Sequence, residues 1–146
     1  MPCRERDIAE QVATAITAGS YTRTVDAKRT WVPVWELDDL TSLHCHVAPS
    51  SPTGAPQTRT KFLWDVPIVA GFGQKVSKPI QDDEVDDIAD VVEEVVDELK
   101  TGSVTITGGL CASCAGVEYL RHADTEYLTE KGMFLSLVQF TYRVVA

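Results

Sequence analysis

Ten of the twenty-two acidic residues of this 146-residue chain fall between Asp82 and Glu98, a stretch without a single Lys or Arg. The rest of the sequence has thirteen basic and twelve acidic residues, a net charge of +1, so the overall charge of −9 is local. Val85, Ile88, Val92, Val95 and Leu99 step by three and four through the same stretch, the spacing of a helix seam that packs on a core or a partner helix. The opposite side is nearly all carboxylate. Like charges meet at i, i+4 in the pairs 82/86, 83/87, 86/90, 90/94, 93/97 and 94/98, a penalty of roughly 1–3 kcal/mol in total. Valine adds no intrinsic helix preference. A helix over Asp82–Lys100 must therefore be held by burial of its apolar face.

The carboxylate face reads as a solvated surface or as one half of a contact with basic groups. Calcium binding is the least favoured reading, because the D-x-[DN]-x-[DN]-G loop is absent and carboxylates on a helix do not fold around an ion. The acidic balance argues against nucleic-acid recognition and against an anionic membrane surface. The most apolar run, Val66–Phe72, is broken by Pro67 and is too short to span a bilayer. No leader-like apolar segment opens the sequence. Four cysteines in a chain of this length point to a reduced, cytoplasmic setting.

The remaining pattern predicts one α+β domain over 1–146, with an antiparallel-rich sheet, an N-terminal helix and the long amphipathic helix packed on it. Ile8, Val12 and Ile16 predict a helix over Asp7–Ala18, with Asp7 and Glu10 at capping-box spacing. Trp31, Pro33, Trp35 and Leu37 alternate as a strand, followed by a turn at Asp38-Asp39 and a second strand through Leu43, Cys45 and Val47. The segment 49–60, with Pro49, Pro52 and Pro56, reads as a flexible surface loop. Lys61–Val76 reads as a strand in which Gly71 and Gly73 suggest a bulge. A short strand at Val104–Ile106 precedes a small-residue Gly/Cys loop over 108–118, and 126–131 reads as a helical turn. Val138, Phe140, Tyr142 and Val144 form the last strand.

Few residues suggest chemistry. Cys111 and Cys114 form a CxxC, and His44 and His46 flank Cys45; together they could supply four ligands to a structural zinc, or the CxxC alone a redox pair. The second ligand pair at matching spacing is missing, and the CxxC does not open a helix after a strand. No nucleophile elbow, zincin motif or P-loop occurs, so neither an enzyme nor a cofactor is indicated. Arg59, Lys61, Lys75 and Lys78 flank the Lys61–Val76 strand, with Asp65 as the acid among them. They could form a basic patch complementary to Asp86, Asp90, Glu94 and Asp97 of a neighbouring copy, a head-to-tail contact that closes a ring.

Taken in order, these segments resemble the tail terminator (tail completion) proteins of long-tailed bacteriophages. The likeness is carried by the helix Asp7–Ala18, the segments Trp31–Leu40, Leu43–Pro49 and Phe62–Ile68, the helix ending in Val95–Leu99, Tyr127-Leu128, and the strand Phe134–Val144. The CxxC loop is not part of that pattern. The resemblance implies a non-enzymatic virion protein, made in the host bacterial cytoplasm, whose copies form a ring, typically a hexamer. That ring ends polymerisation of the tail tube protein and presents a surface to the head connector or stopper. A head–tail connector or other minor tail protein is the neighbouring alternative, and a small cysteine-ligated zinc or redox protein the alternative from another class.

Overall fold

The structure is a computed structural model that describes residues 3–31 and 42–146. Helix α1 (Arg4–Ala18) is followed by strands β1 (Asp26–Arg29), β2 (His44–Pro49), β3 (Thr53–Pro56) and β4 (Phe62–Lys75). Helix α2 (Asp82–Leu99) leads to β5 (Ser103–Thr105) and β6 (Cys111–Arg121); a π-helical turn (Tyr127–Lys131) precedes β7 (Met133–Val145). One curled sheet runs in the order β1-β2-β4-β7-β6-β5, with β3 also beside β4. Its pairs are antiparallel apart from β1 with β2. The expected α+β class, with an N-terminal helix and a mostly antiparallel sheet, is what the chain adopts.

The spine of the sheet is β4 against β7, thirteen consecutive pairs from Leu63↔Val145 to Lys75↔Met133. On the core face lie Val66, Ile68, Ala70 and Phe72 opposite Tyr142, Phe140, Val138 and Ser136, all buried. Alternation at period two puts them there, because successive side chains of a strand point to opposite faces. Helix α1 contacts β1, β2 and β4 but also β5, at the opposite edge, so the sheet curls around it. Ile8, Val12 and Ile16 are fully buried in that hollow. A smaller cluster, Met133 and Leu135 with Tyr127 and Leu137, closes the outer face under the π-helical turn.

Helix α2 buries Ile88, Val91, Val92, Val95, Val96 and Leu99. Six such side chains contribute on the order of 10 kcal/mol or more, which outweighs the like-charge cost of the other face several-fold. The helix is thus fastened from its apolar side, as its seam requires.

Several expectations are corrected. Helix α1 starts at Arg4, and Cys3 is its N-cap without a side-chain bond, so Asp7 lies in the first turn and caps nothing. Asp7 N–H donates to Cys3 O at 3.0 Å, which closes a turn before the proposed capping box. The strand expected over 31–37 and its turn at Asp38-Asp39 lie outside the described residues but for Trp31, which is exposed. The supposed loop 49–60 contains β3, which continues β2 along β4. Between the pairs Pro49↔Ile68 and Thr53↔Asp65, residues 50–52 face 66 and 67, a one-residue bulge. Its prolines sit on a sheet edge, where a missing N–H is tolerated. Conversely Gly71 and Gly73 make no bulge, since the β4–β7 register runs through them unbroken.

The Gly/Cys loop is also shorter than expected. Gly108 and Gly109, with φ of 87° and 74°, make the tight turn of the β5–β6 hairpin, a conformation open to glycine. The chain from Cys111 onward is strand, because pairing with β5 and, from Ser113, with β7 overrides the weak strand preference of Ala112, Ser113 and Gly116.

Candidate functional site

The carboxylates of α2 divide into two groups once the helix is seated. On one flank Glu94 accepts hydrogen bonds from the Thr22 N–H, at 3.0 Å, and from the Thr22 hydroxyl, tying the segment after α1 to the helix. These bonds, the hydroxyl one first, hold the Glu94 carboxyl below its ordinary range. Near the helix start, Glu84 accepts from the Ser77 N–H at 3.3 Å. On the other flank Asp86, Asp90, Glu93 and Asp97 line up by steps of four, three and four. Glu93 accepts the Tyr119 hydroxyl of β6 at 2.8 Å, which brings this member of the row beside β6. Burial, then Glu93 and Asp97, push the Tyr119 phenol well above its usual value. Asp97 pairs with Lys100 at 2.7 Å. Asp86 and Asp90 are exposed and have no hydrogen bond or ion pair among the described residues. Of the four expected interface acids, then, Glu94 and Asp97 have intramolecular partners, and Asp86 and Asp90 remain for an outside one.

The four basic candidates do not form one patch. Arg59 and Lys61 lie in the turn before β4, and Lys75 and Lys78 at its far end. A 14-residue strand separates the two pairs by roughly 45 Å. Asp65 does not oppose them either: it accepts a two-pronged bond from Arg143 at 2.8 and 3.3 Å. That bond lowers its carboxyl pKa. Lys78 runs its stem over Gly132, where a Cβ would come within 2.7 Å of it.

The zinc candidates are kept apart. His44 and His46 are on β2 and the two cysteines on β6, three strand spacings or about 14 Å away. His44 and His46 pair with Gly73 and Gly71, on the outer face, while Cys114 pairs with Tyr142 on the core face. Cys111 and Cys114 are three residues apart on one strand and so point to opposite faces. His44 Nδ1 is instead 3.6 Å from Asp26 Oδ2. Burial, then His44 and Lys28, lower the His46 pKa. Burial raises the Cys114 and Cys45 thiols, the opposite of what thiolate chemistry requires. No cluster of three or more His, Cys, Asp or Glu suited to a metal exists among the described residues.

Two features had not been expected from the sequence. His122 Nδ1 lies 3.3 Å from Ser136 Oγ, but Ser136 is fully buried and donates to Arg121 O at 3.2 Å, so it is not presented to a substrate. The second is the outer edge of β6. Strand β5 pairs with β6 from Cys111 to Ser113, and beyond that no strand among the described residues covers it. Every residue from 115 to 121 is exposed, including Val117, Tyr119 and Leu120. The alternation Val117-Glu118-Tyr119 is a strand signal hidden behind the small residues before it.

The edges of β1 and β3 are protected. Thr17 of α1 covers β1, its Oγ1 accepting from the Ala27 N–H at 3.3 Å and donating to Ala27 O at 3.4 Å. Beside it a groove of about 610 Å³ opens between α1 and β1, walled by the Arg29–Glu10 pair at 3.3 Å. Pro52 and Pro56 blunt β3. The site is therefore a surface: an open apolar strand edge flanked by a row of carboxylates.

No protein-family model matches this chain, and no curated protein is significantly similar to it. Among the described residues, no helix is long and apolar enough to cross a membrane.

Proposed function

We propose that this chain is a structural protein of a bacteriophage virion, a tail terminator. Its copies form a ring at the end of the tail tube, end tube polymerisation and provide the surface that joins the head. One observation carries the proposal. Helix α2 spends its whole apolar side on the core and turns outward a carboxylate row in which Asp86 and Asp90 have no partner within the described chain. A charged face held this firmly is suited to meet basic groups on another subunit. The order of elements on which the resemblance was drawn supports the same proposal. The clustering of ligands that zinc would need is not present among the described residues.

The test is to express the chain with the tail tube protein encoded in the same genome and to image the products by electron microscopy. Tubes of limited length with a ring of this protein at one end are the expected outcome. Tubes that grow without limit and carry none of it would refute the proposal. Binding to the head portal instead of the tube end would assign the connector role.

A further inference from the structure

We infer that the open edge of β6 is one half of a contact between copies, and that its occupant is the basic turn Arg59–Phe62 of a second copy. This deepens, and rests on, the self-assembly proposed above. Five large apolar residues are notably exposed among those described, and three of them, Val117, Tyr119 and Leu120, lie on this edge. A fourth, Phe62, 40% exposed, directly follows the basic turn. Isolated exposed side chains need no explanation, but a cluster on an uncovered strand edge does.

Charge selects the occupant. The edge meets α2 at Glu93, and Asp97, Asp90 and Asp86 continue the same carboxylate row along the helix. A two-fold β6–β6 pairing would keep both α2 helices on the same side of the joined sheet and set two such rows against each other. Like charges juxtaposed across an interface oppose association. The partner must be exposed and basic. From residue 40 to residue 64 the sequence has no Asp or Glu, and within it residues 53–62 are exposed throughout. Arg59 and Lys61 are the cations of that segment.

One copy cannot satisfy itself. Phe62 bonds to Ala146 at one end of the sheet, whereas Val117 pairs with Phe140, six residues further along β7. Six residues of rise and two strand spacings put the turn more than ~20 Å from the edge within one chain. The two surfaces sit on opposite sides of the sheet, β3–β4 and β6, so the contact is head-to-tail, the geometry that closes into a ring when the rotation allows. Pro52 and Pro56 prevent β3 from zipping onto the edge as a continued sheet, and side chains from Arg59 to Phe62 make the contact.

The experiment uses two single-cysteine variants of the full chain, T60C and E118C, in a background with Cys3→Ser, Cys111→Ser and Cys114→Ser. They are mixed and oxidised, and native masses are measured alongside for the parent. The expected result is a disulfide-linked dimer from the mixture and none from either variant alone. Adding R59E and K61E to the T60C chain should lower its yield at least ~10-fold, and D86K with D90K in the E118C chain should restore it. Dimers of E118C with itself would overturn the inference in favour of the two-fold pairing. A parent that forms ring-sized species, without the mixed dimer and indifferent to R59E/K61E, would overturn this contact and leave the ring standing. A parent that stays monomeric up to millimolar concentration, without the mixed dimer, would overturn both.

Discussion

Replacing Asp86 and Asp87 by Asn should make this protein more stable. Both side chains are exposed and neither has a hydrogen bond or ion pair among the described residues, so no favourable contact is lost. The substitutions remove the i, i+4 repulsions 82/86, 83/87 and 86/90. At 0.2–0.5 kcal/mol each, the gain is about 0.6–1.5 kcal/mol. Asn and Asp have similar helix propensity, and the acids best placed on the helix dipole, Asp82, Asp83 and Glu84, stay in place. Urea denaturation followed by circular dichroism at low ionic strength should show the midpoint rise with the slope unchanged. In 1 M salt the Debye length falls to about 3 Å and most of the gain should disappear. A lower midpoint, or an equal gain at both salt concentrations, would refute the account of α2 as a self-repelling helix held by its apolar side.

Ile88→Ala attacks the same balance from the core and should cost about 2–5 kcal/mol in urea denaturation, since Ile88 is fully buried. Thr17→Val should cost about 1 kcal/mol and speed amide exchange at Ala27, whose N–H it uncovers. Glu94→Gln should loosen the segment after α1, seen as faster exchange of the Thr22 N–H. Because the Glu94 pKa is lowered in the folded state, its stabilisation is complete above the ordinary value of 4.5 and is lost as pH falls through the lowered one. The parent should therefore lose more stability than E94Q as pH drops below about 4.5, measured as the urea midpoint against pH.

The strongly patterned elements were legible from the sequence. The seam of α2 and the alternation through Phe140 and Tyr142 each have a period that one buried face imposes, and both were placed within a few residues. What escaped notice lacks such a period. Strand β1 reads Asp-Ala-Lys-Arg and is a strand because β2 lies beside it. Strand β3 is exposed at every residue, so its sequence records no core at all. The CxxC looked like a ligand pair because spacing alone does not say whether two residues share a face, and on β6 they do not. For the surface, the carboxylate row was visible as charge. Which of its members are engaged, and that an uncovered strand edge lies next to it, depended on Thr22 and Tyr119, residues remote in sequence from the helix partners they meet.

The long unbroken register of β4 with β7 has a mechanical consequence. When two antiparallel strands are pulled lengthwise in opposite directions, all of their cross-strand bonds bear the load at once, whereas a hairpin opened from its end loses them one at a time. Thirteen pairs without a bulge form a shear clamp through the middle of the sheet. The thin edges β1, β3 and β5, held by four, four and three pairs, would part under a smaller load than this centre.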